Sequence, residues 1–185
     1  TMDSGAVDLG YHYDSGFSLT QGDVYVGPGG DDVTGNGTSS NKYRSITKAL
    51  SVAEAGGRIH VEAGTYDNAV ETFPLALSTE AVQILGTNAE ATIVDASGSG
   101  TNVMTVTGVG SSSVISNLTL TGGSGYLYGG GLYISLASPR ITGCIIRDNT
   151  ISSCAGIGVG IDGGSPELIG CKIHNNKWTL TSDSK

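Results

Sequence analysis

The chain has 185 residues, 38% of them apolar and 6% aromatic, with 30 glycines and a net charge of −8 from 9 basic and 17 acidic side chains. That acidic balance argues against nucleic acid or an anionic membrane surface as partner, and no run approaches the roughly 20 apolar residues that span a bilayer. Apolar residues in strict alternation exclude a disordered glycine-rich chain and fit one domain with a core of small side chains.

Residues 1–22 stand outside the periodic pattern and read as an N-terminal arm, or the tail of a preceding unit, plus a linker. The start of the chain lacks a basic stretch followed by an apolar core, so no signal peptide is read there. The main domain runs from 23 to 185 and opens with a strand at Val24, Tyr25 and Val26. A glycine-rich loop follows, in which Asp31, Asp32 and Asn36 offer oxygen ligands suited to calcium; the competing reading is that these side chains cap the backbone of the loop. Ser45 then caps a helix over about 45–55, with Ile46, Ala49, Leu50 and Ala53 on one stripe and Gly56 and Gly57 closing it. A single amphipathic helix ahead of stacked strands is suited to plugging their first edge.

From Arg58 onward the chain is a series of short alternating runs, and from about 102 to 177 these runs repeat. The phrase Ser138-Pro-Arg-Ile-Thr-Gly-Cys-Ile-Ile-Arg-Asp-Asn149 returns at Ser165-Pro-Glu-Leu-Ile-Gly-Cys-Lys-Ile-His-Asn-Asn176. A period of this length marks stacked structural units. Alternation within the phrase puts Thr142, Cys144 and Ile146 inward in one copy and Ile169, Cys171 and Ile173 in the next, with Ser116, Leu118 and Leu120 as an upstream copy. Ile145 is the poor fit, an apolar residue facing outward. Gly123, Asn149 and Asn176 fall at a turn where a left-handed backbone is tolerated, and stacked asparagines there can bond along their column. A second column holds Met104 and Val106, Leu132 and Ile134, Val159 and Ile161. With no helical segment between these strands, successive copies must pair in parallel, which makes a β-solenoid.

Three cysteines make no disulfide framework. Cys144 and Cys171 are neighbours in one column, placed as packed thiols at a separation that does not forbid a bridge; Cys154 sits in a Gly/Ser corner.

Tyr25-Val26-x-Pro28-x-Gly30-Asp31, Ile46-x-x-Ala49-Leu50, Ile59-x-Val61-x-x-Gly64-Thr65-Tyr66 and Phe73-Pro74-Leu75, followed by Ser-Pro repeats, form a set. It resembles the N-terminal part of bacterial secreted and surface proteins of the pectate-lyase-like, right-handed parallel β-helix superfamily. Asp3-Ser-Gly-Ala-Val-Asp-Leu-Gly-Tyr-His-Tyr13 is similar to the closing phrase of many bacterial β-solenoid domains. The resemblance implies an all-β right-handed parallel β-helix with one short N-terminal capping helix, an extracellular or cell-surface location, and polysaccharide as a candidate partner. Polysaccharide-active members carry acidic clusters and an Arg or Lys base on the outer face of one sheet. Here the outward positions are Thr119, Thr121, Ile145, Arg147, Lys172 and His174 in one column set, and Thr105, Thr107, Tyr133, Ser135, Gly160 and Asp162 in the other. Arg147, Lys172, His174, Asp162 and Tyr133 are therefore the candidate ligand contacts. No carboxylate pair stands beside Arg147 and His174 in these columns, so neither hydrolase nor lyase chemistry is legible. The expectation is a non-catalytic scaffold and interaction module. Two rivals are a structural subunit joined head-to-tail through its arm and open end, and a fragment of a polysaccharide lyase or glycoside hydrolase.

Overall fold

The structure, a computed structural model, describes residues 22–125, 128–152 and 156–179. The chain winds as a parallel β-helix, laying one strand per turn in each of three sheets. Sheet A holds Asp23–Val26, Arg58–Val61, Gln83–Gly86, Val114–Ser116, Arg140–Thr142 and Glu167–Ile169, in that order across the sheet. Sheet B holds Gly64–Asp67, Thr92–Asp95, Thr119–Thr121, Ile145–Arg147 and Lys172–His174. Sheet C holds Leu75–Leu77, Met104–Thr107, Leu132–Ser135 and Val159–Asp162. A narrow sheet D of Ser124–Gly125, Thr150–Ile151 and Lys177–Trp178 fills one corner.

Inward residues stack rung on rung. Sheet A contributes Ile59, Ile84, Ile115, Ile141 and Leu168; sheet B contributes Tyr66, Val94, Leu120, Ile146 and Ile173. Sheet C contributes Leu75, Met104, Leu132 and Val159 beside Leu77, Val106, Ile134 and Ile161, the second column read from the sequence. Most of these side chains are fully buried, and each large one contributes about 1.5–3 kcal/mol.

The repeated phrase is not one strand, as its alternation suggested, but two. Asn117, Gly143 and Gly170 adopt φ of 55°, 60° and 63°, a left-handed corner that bends sheet A into sheet B and restarts the alternation. Leu118, Cys144 and Cys171 still point into the core, as expected. Ser116, Thr142 and Ile169 do not: the inward residues of those strands are Ile115, Ile141 and Leu168.

The next corner also differs by one residue. The left-handed positions are Gly122, Asp148 and Asn175, with φ of 72°, 54° and 55°. The following residues, Gly123, Asn149 and Asn176, build the expected ladder. Asn149 Nδ2 donates to Leu120 O at 3.0 Å and to Asn176 Oδ1 at 3.0 Å, while Asn149 Oδ1 accepts from Gly123 N at 2.9 Å. Asn176 Nδ2 donates to Ile146 O at 2.9 Å. The amide dipoles thus replace backbone partners lost where the chain turns between sheets.

Helix α1, Ile46–Val52, lies over the first turns with Ile46 and Ala49 buried. It is shorter than the sequence pattern indicates. Ala53 is already extended, and Gly56, at φ 82°, belongs to a separate turn that leads into Arg58. The N-terminus of α1 is held by three side chains. Ser45 Oγ accepts from Lys48 N at 3.0 Å, and Asp32 accepts from Arg44 N at 2.7 Å, Ser45 N at 3.0 Å and Ser45 Oγ at 2.6 Å. Buried Glu71 accepts from Ile46 N at 2.7 Å, Thr47 N at 2.8 Å and Thr47 Oγ1 at 2.6 Å. Burial raises the Glu71 pKa above the usual carboxylate value, against the opposing pull of these hydrogen bonds. The free edge of Asp23–Val26 is covered too: Tyr25 N donates to Gly37 O at 2.8 Å, and Tyr25 O accepts from Tyr43 N at 2.9 Å.

Candidate functional site

The outer faces of sheets B and C carry the side chains that the sequence nominates, and the structure divides them into two groups. On sheet C, Tyr133 and Asp162 come together. The Tyr133 hydroxyl donates to Asp162 Oδ2 at 3.3 Å, and the Tyr133 ring stacks on Tyr128 with centroids 5.2 Å apart and planes 12° apart. Gly160, the rung neighbour of Tyr133, makes this pairing feasible: a Cβ there would lie 3.1 Å from Tyr128 Cβ and 2.7 Å from Gly129 N. Asn102 Nδ2, bonded to Thr105 Oγ1 at 2.9 Å, and Ser135 extend the polar part of the surface. Tyr128 remains 40% exposed and Asp162 is exposed. The result is an aromatic platform with a carboxylate at its edge. Sequence reasoning missed Tyr128; the glycine opposite Tyr133 was the available signal.

Sheet B presents two outward columns. One contains Asp67, Asp95, Thr121, Arg147 and His174 on successive rungs. Asp67 and Asp95 extend the column upstream beyond the copies that the sequence aligned, and their signal was a shared strand-final Asp. Each has an oxygen engaged at its own corner: Asp67 Oδ1 accepts from Ala69 N at 3.0 Å and Asp95 Oδ1 from Ser97 N at 2.9 Å. Arg147 Nη1 donates to Asp148 Oδ2 at 2.6 Å, so its charge is matched locally.

The second column is Thr65, Ile93, Thr119, Ile145 and Lys172. A strap formed by residues 87–91 folds over it. Thr119 Oγ1 donates to Ala89 O at 2.6 Å, and Thr119 and Ile145 are only 1% and 5% exposed. This explains the apolar Ile145 on an outward position: the strap supplies its cover. Glu90 at the tip of the strap meets Lys172 at 3.4 Å, an exposed pair worth little energetically. Between the strap and the corner lies a groove of about 350 Å³ lined by Asn88, Glu90, Asn117, Gly143, Gly170 and Lys172, among others. Lys172 therefore belongs to this groove, apart from the sheet C platform.

The calcium candidates are engaged with the loop itself. Asp31 Oδ1 accepts from Val33 N at 2.7 Å and Thr34 N at 2.9 Å, and those bonds hold its pKa below the usual value. Asp32 holds the helix terminus, and Asn36 Oδ1 accepts from Thr38 N at 3.2 Å and Thr38 Oγ1 at 2.8 Å. Among the described residues, no group of three or more His, Cys, Asp or Glu side chains is arranged to hold a metal.

The chain belongs to the family described as "Protein of unknown function (DUF1565)", whose model matches residues 28–182. No curated protein matches it in sequence. Among solved structures it is similar to a mutant pectin methylesterase in complex with a hexasaccharide, with a TM-score of 0.57 and 13% identity, covering 83% of this chain and 49% of that one. It is also similar to pectin methylesterase from carrot, with a TM-score of 0.51 and 16% identity, covering 86% of this chain and 54% of that one. The chain thus spans about half the length of these structures. The fold is a right-handed parallel β-helix, as the resemblance noted in the sequence implied.

Proposed function

We propose that this chain is a non-catalytic, carbohydrate-contacting β-helix module of an extracellular or cell-surface protein, with the platform of Tyr128, Tyr133 and Asp162 as its contact surface. The observation that carries this reading is the stacked tyrosine pair held over Gly160 with a carboxylate on the hydroxyl. Aromatic faces stack on the C–H face of a sugar ring while adjacent acceptors take its hydroxyls. The carbohydrate-active neighbours of the same fold support the ligand class.

Affinity electrophoresis in gels containing pectic, uronate and neutral polysaccharides tests this. Wild type should be retarded in at least one gel, and Tyr133→Ala should lose about tenfold in affinity, whereas Arg147→Ala and His174→Ala should bind as wild type. Retardation that survives Tyr133→Ala and Tyr128→Ala would move the contact elsewhere. Release of reducing ends or unsaturated sugars by the purified chain would overturn the non-catalytic part.

A second reading is assembly, favoured by the exposed end of the solenoid. The last strands of all four sheets have one edge without a neighbour among the described residues, and Ile161, Ile169, Ile173 and Trp178 are 52%, 53%, 49% and 56% exposed. The arm at 1–22, which except for Gly22 lies outside the described residues, is the candidate partner for that edge in a head-to-tail chain. Light scattering that shows a monomer at high concentration, unchanged on deleting 1–21, would remove this reading.

A further inference from the structure

Two successive turns of the helix place a cysteine where the turn above places Leu118. Ile145 and Lys172 are rung partners, and Lys172 N donates to Cys144 O at 2.9 Å, so Cys144 and Cys171 are stacked neighbours one residue earlier. Both thiols are free. Cys144 is buried with its sulfur 3.7 Å from Ile115 O, and Cys171 is half-buried with its sulfur 3.5 Å from Ile141 O. A rung spacing of about 4.8 Å falls inside the roughly 4.4–6.8 Å range of Cα separations that disulfides span. The strap groove is lined by Cys144 and by Gly170 and Lys172, the two residues flanking Cys171, which gives a small reagent a route to the pair.

We propose that Cys144 and Cys171 are a redox modification site, a dithiol that a low-molecular-weight disulfide oxidises to an intramolecular bridge fastening two successive turns of the solenoid together. The Cys171 thiolate attacks one sulfur of the reagent, whose S–S bond breaks and releases one thiolate. Cys144 then gives its proton to solvent, and its sulfur attacks the Cys171 sulfur of the mixed disulfide, releasing the second thiolate. The protein loses two protons and two electrons, and the reagent becomes two thiols. Cys171 is the attacking partner on geometry, since it alone of the two is partly exposed. Its pKa agrees in direction: the neighbouring Cys144 thiol lowers it to about 6, with burial opposing, while the Cys171 neighbour and burial raise that of Cys144.

The full chain equilibrated with oxidised glutathione and mapped by mass spectrometry after proteolysis should show the peptides of Cys144 and Cys171 joined, two mass units below their reduced sum. Amides of 167–179 should gain about tenfold protection from hydrogen exchange on oxidation. Cys144→Ser should stall at the glutathione adduct on Cys171, and in Cys154→Ser the bridge should form as in wild type. Alkylation of Cys171 in the reduced protein should be half-maximal near pH 6. Two free thiols after equilibration would overturn the proposal. So would a wild-type adduct that never closes, bridges between molecules, or a bridge that includes Cys154.

Discussion

The two ends of this solenoid are built differently. At the N-terminal end α1 covers the core, the strand edge is bonded by 37–43, and Ser45, Asp32 and Glu71 together satisfy the helix terminus that covering the edge creates. At the other end of the described residues the same inward columns are partly exposed: Ile146 is fully buried, and its rung partner Ile173 is 49% exposed. A column position therefore has no fixed energetic value. What it contributes depends on whether another turn lies above it, because a parallel stack buries each side chain mostly against the turns on either side.

The strongest test of that contrast is a pair of substitutions in one column. Ile146→Ala should cost about 3–4 kcal/mol and Ile173→Ala under about 1 kcal/mol, read as urea unfolding midpoints at constant m-value. Equal losses would show that the end turn is covered in solution. The ladder provides the next largest effect. Asn149→Ala takes from buried Gly123 N–H its side-chain acceptor and from Leu120 C=O a side-chain donor and should cost about 2–3 kcal/mol, whereas Asn176→Ala should cost about 1 kcal/mol.

The capped end is then probed by pH. Because Glu71 has a folded pKa above its unfolded value, the folded state holds the proton more tightly, so its contribution rises as pH falls through the folded pKa and is complete below the unfolded value. Relative to Glu71→Gln, wild type should gain stability as the pH falls from neutral towards 4; a difference independent of pH would mean that Glu71 is not desolvated. The smallest effect separates two corners. Gly143→Ala and Gly170→Ala both place a side chain at a left-handed φ, at about 1 kcal/mol each, but only the first meets an atom within 3 Å, Asn117 Oδ1 at 2.8 Å. Gly143→Ala should accordingly lower Tm by a few degrees more.

Much of this was legible because a parallel stack writes its contacts into the sequence as a period. Met104, Leu132 and Val159 could be aligned by counting, and the ladder of Asn149 and Asn176 followed from their common place in the phrase. The sheet A to sheet B corner was lost because apolar residues continue at intervals of two through Gly143 and Gly170, imitating one strand; the glycine inside the pattern was the mark of a bend. Burial of Ile145 depends on a strap that lies more than 50 residues earlier, which no local pattern encodes, and only its misfit hinted at a cover. The candidate set divided for a related reason. Alternation tells that Tyr133, Asp162, Arg147, Lys172 and His174 face outward, but not which sheets lie side by side.

The common register across Val114, Arg140 and Glu167, and across Met104, Leu132 and Val159, has a consequence for how such a molecule changes size. Its length is quantised. Excising 140–166 would bring Val114 against Glu167 and Thr119 against Lys172, and would take Val159–Asp162 out of sheet C while Leu132 keeps its place beside Met104, leaving a shorter rod with the same cross-section, whereas loss of a single residue would turn a strand inside out. Tandem duplication of one turn is thus a neutral move for this architecture, and point insertion inside a strand is not.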